Sequence, residues 1–282
     1  MDYFLTEQQV MIRDLARQIA REKVVPLRAE LDEKEEFPWE IMKDLAAADL
    51  FSIFVPEAYG GLGAGILDLC VAIEELSKVC AGVAVTYASS ALGAFPIILM
   101  GSEEQKQKYL PDIASGKNLA AFGLTEAGAG SDAAGVQTTA RLDGDHYILN
   151  GTKQWITNGG EAEVYSVIAM TNKAKGMRGA SAFIVEKGTP GFSFGKKEIK
   201  MGIRTSATRE LVFEDCRVPK ENLLSKEGMG FITAMKTLDK SRPGIGAQAL
   251  GIAQGAYEEA AVYARERVQF GKPIASFQAV QH

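Results

Sequence analysis

Gly123-Leu-Thr-Glu-Ala-Gly-Ala-Gly-Ser-Asp132 is the stretch on which the fold turns. Its glycines let backbone N–H groups come close to an anion, and Ser131 adds a hydroxyl donor. A pyrophosphate suits that chemistry, while a flexible loop opening a β domain suits the same composition. Within the run, Gly128-x-Gly130-x-x-Ala133 mimics the glycine fingerprint of a dinucleotide-binding βαβ unit. In that unit the loop follows a strand and opens a helix. Here the residues beyond it, Val136-Gln-Thr-Thr-Ala140, read as strand, which rejects a doubly wound fold.

Outward from this run the texture differs on the two sides. Upstream, residues 1 to about 118 read as helical. Thr6-Glu-Gln-Gln9 is a capping box, followed by Met11, Leu15 and Ile19 on one predicted face. Pro38 sits early in a second predicted helix with Ile41 and Leu45 on its apolar side. A third helix is predicted from about Ile66 to Val79, and a short charged one from Glu103 to Tyr109. Downstream, residues 119 to about 225 alternate short Val/Ile/Thr/Tyr/Phe runs with Gly, Asp and Asn. Strands are predicted at 138–142 and 146–149 around an Asp143-Gly144 turn, and at 164–170, 180–185 and 210–213. Helical spacing returns at Phe231, Met235 and Leu238, and a long helix is predicted from Pro243 to about Arg267. The pattern predicts a β domain set between helical ones.

Bulk properties exclude several classes. With 46% hydrophobic and 24% charged residues, the 282-residue chain is predicted to be globular rather than disordered. Its net charge of −5 comes without a basic block, so nucleic acid is a poor partner. Cys70, Cys80 and Cys216 form no CxxC pair and are expected to be reduced thiols. Two histidines, His146 and His282, do not make a metal site. The N-terminus carries no basic or Arg/Ser-rich targeting character. Residues 79–102 hold no charge and are long enough to span a bilayer. Their Ala, Gly, Ser, Thr and Tyr content is weakly lipophilic, so a buried helix walling a ligand is expected rather than a membrane span.

Three further runs carry candidate chemistry. In Gln154-Trp-Ile-Thr-Asn-Gly-Gly160, Trp155 can cover a flat ring and Thr157 can hydrogen-bond its edge; a core Trp ending a strand is the alternative. In Thr237-Leu-Asp-Lys-Ser-Arg-Pro243, Asp239 or Ser241 can cap the following helix and Arg242 can meet a phosphate. Arg265-Glu-Arg-Val-Gln-Phe-Gly-Lys272 otherwise reads as a solvated helix end.

Taken in this order and at these separations, the four runs resemble the acyl-CoA dehydrogenase family, the short- and medium-chain (butyryl-CoA dehydrogenase-like) members above all. Ile73-Glu-Glu-Leu-Ser77 and the Arg-x-Gln-Phe-Gly-Lys-Pro273 segment are further marks, and the resemblance covers the whole chain. It implies an α+β multidomain protein. An N-terminal α-helical domain (1–118) is followed by a middle β-barrel or sandwich domain (119–225) and the beginning of a C-terminal α-helical bundle (226–282). It implies FAD as cofactor, acyl-CoA as substrate, a homotetramer, and electron-transferring flavoprotein as redox partner. By motif, Phe122, Leu124 and Thr125 are expected at the flavin ring, and Gly130 and Ser131 near its pyrophosphate. Trp155 is expected over the ring, with Ile156 beside it and Thr157 near N5. Arg267, Gln269, Phe270 and Gln278 are expected to hold FAD across a subunit interface. Ser131, Asp239, Ser241 and Arg242 are expected to meet the acyl-CoA, and Tyr87, Ser89, Ser90 and Leu92 to line the acyl slot.

The implied reaction removes the α-proton of the thioester with a carboxylate and passes the β-hydride to flavin N5. The chain departs from the family pattern at the base. The family's Glu-Gly-Thr segment does not occur, the isovaleryl-type position is Ser241, and residues 79–102 offer no Asp or Glu. The catalytic base is therefore unassigned, and the sequence is expected to be C-terminally truncated. An enoyl-CoA reductase running the reaction in reverse, or a non-catalytic flavin-binding fragment, are the alternatives. The expected location is a bacterial cytoplasm, or the mitochondrial matrix in a eukaryote.

Overall fold

The computed structural model describes residues 4–282, so Met1–Tyr3 of the expected first domain lie outside the described residues. The first helix, α1 (Glu7–Ile19), opens on the Thr6 capping box: the Thr6 hydroxyl accepts from Gln9 N at 3.3 Å, and the Gln9 side chain accepts from Thr6 N at 3.1 Å. Its buried stripe is Ile12, Ala16 and Ile19, whereas Met11 and Leu15 lie on the solvent side. Spacing by four fits either row, and packing selects the one that faces the core. The chain continues as one π-helical turn, Ala20–Val24, into α2 (Arg28–Lys34). Pro38 is not inside α3 (Trp39–Ala47) but caps it.

Two helices form the spine. They are α4 (Ile66–Val79) and α5 (Ala81–Met100). The second is the charge-free segment, long and apolar enough to cross a membrane, yet two-thirds buried inside the molecule. It presses directly on the β region: a Cβ at Gly93 would sit 2.4 Å from Ala121 N. The Ser166 hydroxyl donates to the Gly93 carbonyl at 2.8 Å. Helix α6 (Glu103–Ala114) opens on a second capping box, Ser102 with Gln105, and runs through Pro111 rather than stopping there.

The strands are β1 (Ala120–Gly123), β2 (Thr139–Asp143), β3 (His146–Thr157), β4 (Val164–Met170), β5 (Ala180–Glu186), β6 (Phe192–Phe194), β7 (Thr208–Pro219) and β8 (Leu223–Leu224). They form one eight-stranded sheet in the order β6-β7-β3-β2-β4-β5-β8, with β1 parallel to β4. Every residue of β4 is buried, which explains its unbroken apolar reading. The β2–β3 hairpin pairs Asp143 with His146, so Gly144 and Asp145 form the turn and Gly144 takes φ +64°.

Helix α7 (Gly230–Glu266) corrects the expectation of a helix starting at Pro243: it is one helix of 37 residues with Pro243 inside. Asp239 and Ser241 are therefore interior residues rather than caps. A proline costs an interior helix one hydrogen bond and adds a clash. The helix persists because Gly244, Gln248, Gly251 and Gly255 are buried on its inner side, with Gly251 and Gly255 close against α4. A small hairpin, β9 (Val268–Gln269) with β10 (Lys272–Pro273), and α8 (Gln278–Gln281) follow.

Candidate functional site

The glycine run leaves β1 and reaches β2 through a single 3₁₀ turn, Ala133–Gly135, so no helix opens from it. Opposite it, β3 carries a bulge. Lys153 pairs with Leu211 and Ile156 with Arg209, leaving Gln154 and Trp155 against the one residue between them. Trp155 takes φ +57°, and its side chain is 55% exposed. A bulky residue in that conformation is held there by its surroundings. The bulge turns the indole outward instead of into the sheet core.

Asn158 fixes the end of the same strand. It is fully buried at φ +63°, and its Nδ2 donates to the Thr86 carbonyl at 3.0 Å, the Ala120 carbonyl at 3.3 Å and the Ser90 hydroxyl at 3.4 Å. One amide thereby ties α5, β1 and β3 together. Between them lies a cavity of about 190 Å³ lined by Phe122, Leu124 and Thr125 of β1 and its loop, and by Trp155, Ile156 and Thr157 of β3. Ser89 and Leu92 of α5 and Leu238 of α7 complete it. The wall offers one exposed aromatic face, several apolar groups and two threonine hydroxyls, a set that suits a flat ring with a polar edge.

Six of the residues singled out in the sequence as cofactor-binding thus converge. Gly130 and Ser131 lie further along the same loop and are exposed, with open space where a Gly130 Cβ would be. Asp239 and Arg242 form an exposed ion pair on α7, and the Ser241 hydroxyl donates to the Leu238 carbonyl. Arg267, Gln269, Phe270 and Gln278 are exposed beyond α7 and do not line the cavity; Phe270 is 93% exposed at φ +51°.

Two of the residues expected in the acyl slot lie away from this cavity. Tyr87 is fully buried in the helical core, edge-on to Phe51, and its hydroxyl donates to the Leu50 carbonyl at 2.7 Å. Burial pushes its phenol pKa well up. Ser90 faces Asn158. Successive helix residues point about 100° apart, so within this segment Ser89 and Leu92 reach the cavity while Tyr87 and Ser90 turn inward. Leu238 was legible only as a position in a helical repeat.

Behind the wall sits a group that the sequence pattern did not reveal, a fully buried Lys153 paired with Glu126 at 2.6 Å. Burial pushes the Lys153 ammonium down to about 8, against the pull of the Glu126 carboxylate. Burial would raise Glu126, but the Lys153 charge and the hydrogen bonds it accepts hold it below its ordinary value. Among the described residues no cluster of His, Cys, Asp and Glu is arranged to hold a metal.

Family models for the acyl-CoA dehydrogenase N-terminal, middle and C-terminal domains match residues 6–117, 121–216 and 228–282. The chain is 50% identical over 281 residues to the short-chain-specific acyl-CoA dehydrogenase of Clostridium acetobutylicum, covering 99% of this chain and 74% of that protein. It is 49% identical over 283 residues to the acryloyl-CoA reductase (NADH) of Anaerotignum propionicum, covering 100% and 72%. In structure it matches, at TM-score 0.98 and 53% identity, a chain solved in work on the electron transferring flavoprotein of Acidaminococcus fermentans. That match covers all of this chain and 74% of the other.

Proposed function

The chain belongs to the acyl-CoA dehydrogenase family, and from that premise we propose that it introduces a double bond between the α and β carbons of a short-chain acyl-CoA. Its cofactor is FAD. When bound, FAD supplies the ring that takes up the β-hydride. The observation that carries the proposal is the convergence of α5, the β1 loop, the bulged end of β3 and α7 on one cavity. Its exposed indole and paired threonine hydroxyls fit an isoalloxazine.

Each wall has a separate task. Trp155 covers one face of the ring, and Thr125 and Thr157 hydrogen-bond its edge. Phe122, Leu124 and Leu238 exclude water, while Ser89 and Leu92 face the acyl group. Gly130 and Ser131 meet the pyrophosphate through an open loop. Asp239, Ser241 and Arg242 lie along α7 where the thioester arm and CoA would pass. The cavity walls hold no carboxylate, so their part is binding, orientation and exclusion of water rather than proton removal. Arg267, Gln269, Phe270 and Gln278 serve a second subunit's FAD in a homotetramer. The exposed apolar residues Ile245, Leu250, Ile252 and Tyr257 on α7 favour burial in such an assembly.

The short-chain preference rests on the Clostridium relative. Electron-transferring flavoprotein as acceptor rests on the family and on the Acidaminococcus structure, and the bacterial relatives favour a bacterial cytoplasm. A second reading, reduction of an enoyl-CoA, is favoured by the acryloyl-CoA reductase relative.

An anaerobic titration of the purified full-length protein with butyryl-CoA and octanoyl-CoA tests the proposal. The flavin band at about 450 nm should bleach with butyryl-CoA first. A yellow protein that no acyl-CoA bleaches overturns dehydrogenation in favour of reduction or bare flavin binding. A colourless protein that takes up no FAD overturns the site itself.

A further inference from the structure

Lys153 and Glu126 stand outside the cavity lining, yet Lys153 bonds to Leu124, one of the residues that form it. Lys153 Nζ donates to Glu126 Oε1 at 2.6 Å and to the Leu124 carbonyl at 3.1 Å. Glu126 accepts further from Gln137 N at 2.6 Å and Thr138 N at 2.9 Å. One residue beyond Lys153, Gln154 N donates to the Thr125 carbonyl at 2.9 Å. Four bonds thus reach backbone atoms of the glycine-run loop, or of the segment that ends it, and each joins them to a neighbouring segment. An apolar pair of similar volume packs at least as well as a buried ion pair, so packing alone does not account for the charges. Their distinctive effect is to fix backbone.

The placement is specific. Lys153 is the last residue in register before the bulge that turns Trp155 outward. The Leu124 carbonyl points at Lys153, and in a trans peptide the Thr125 N–H then points the opposite way. Released from Lys153, the loop from Leu124 to Ala129 would keep the Gln154–Thr125 bond and its own Glu126–Ala129 turn. Those leave the 124–125 peptide free to rotate.

We infer that the buried Lys153–Glu126 pair is the positioning element of the flavin slot, setting the Leu124–Thr125 wall at a fixed separation from the bulged Trp155–Thr157 wall. The inference rests on the cofactor reading above. Lys153 acts through Leu124 and through the strand that carries Trp155, and it is a positioning residue rather than a catalytic one.

The test compares wild type with E126Q, K153M and the E126Q/K153M double variant. The single variants leave one buried charge unpaired and lose stability as well as flavin; the double variant removes both charges at nearly constant volume. The double variant is expected to keep the wild-type far-UV circular dichroism and to stay folded at the assay temperature, with a thermal midpoint lowered by the bonds to Leu124 and to Gln137 or Thr138 that it gives up. Its FAD dissociation constant should rise about tenfold, and the visible band of the bound flavin should shift. An unchanged FAD affinity and band in a folded double variant overturn the inference while leaving the cofactor reading intact. So does a loss of affinity that merely tracks the unfolded fraction. Wild-type protein that takes up no FAD overturns the cofactor reading, and the inference with it.

Discussion

Trp155 and Tyr87 are both large aromatics beside the same helix–sheet junction, and their environments assign them opposite roles. Tyr87 has no exposed surface and its hydroxyl holds the Leu50 carbonyl, so its value is structural. Tyr87→Phe leaves that buried carbonyl without its donor and should cost about 1–2 kcal/mol of stability. Its FAD affinity should stay that of the wild type. Trp155 keeps more than half its surface exposed at a bulge. Trp155→Phe should stay within about 1 kcal/mol of wild-type stability. Loss of ring contact should weaken FAD by about 1 kcal/mol, roughly fivefold. Urea unfolding and flavin-fluorescence titration of the two variants separate the effects. Equal losses of both properties in both variants would show that the two aromatics share one role. Trp155 stood out only through the family resemblance; taken alone, a Trp ending a strand reads as core. Lys153 did not stand out: a lysine in a strand reads as solvent-facing, and only the sheet register shows that this one points inward.

At the scale of elements, the contact between α4 and α7 depends on glycine. A Cβ at Gly251 would lie 2.3 Å from the Glu74 carbonyl oxygen, and one at Gly255 would lie 2.0 Å from that of Lys78. Both obstacles are backbone, so the helices themselves must separate. Alanine gains about 1 kcal/mol over glycine in a helix interior, and overpacking costs about 1–3 kcal/mol. Gly251→Ala and Gly255→Ala should therefore destabilise. Gly246, one helix with them, has nothing within 4 Å of its Cβ position, and Gly246→Ala should stabilise by roughly 0.5–1 kcal/mol. Thermal melts of the three variants check the sign; a stabilised Gly255→Ala would mean that α4 and α7 are not held this closely in solution. Helices with long apolar periodicity or a capping box were legible, and α4 spans the predicted residues. The short strands β1, β6 and β8 were not, because four, three and two residues are too few to show a period of two, and these strands exist through pairing with longer neighbours. The passage of α7 through Pro243 was hidden for the converse reason: local propensity argued for a break, and packing on both sides overrode it.

Across the whole molecule, α1 is joined to the spine by one buried carboxylate. Glu75 on α4 has only 5% of its side chain exposed, accepts two bonds from Arg17 of α1 at 3.0 Å each, and accepts a third from Lys78 at 2.9 Å. Burial would raise the Glu75 pKa, but the bonds from Arg17 and Lys78 outweigh it and hold the carboxyl below its ordinary value. An unfolded glutamate titrates at about 4.3. Since the folded value is lower, the folded state binds fewer protons through that window, and the contribution of Glu75 is fully present above it. It is lost as the pH falls through the folded value. Glu126 is held down in the same sense, so the wild-type acid transition contains both. The difference between wild type and Glu75→Gln isolates one of them. At pH 7 the variant should be less stable by about 1–3 kcal/mol, because Arg17 and Lys78 lose a charged acceptor but can turn toward water. The gap should close through the window that opens near the unfolded value of about 4.3 and runs down to the lowered folded value, since the unfolded wild-type chain takes up a proton there before the folded one and the amide takes up none. Urea midpoints measured at unit pH steps give the two curves. Parallel curves through that window would mean that the Glu75 charge contributes nothing to holding α1 on the spine, and that the Arg17 contact is carried by packing alone.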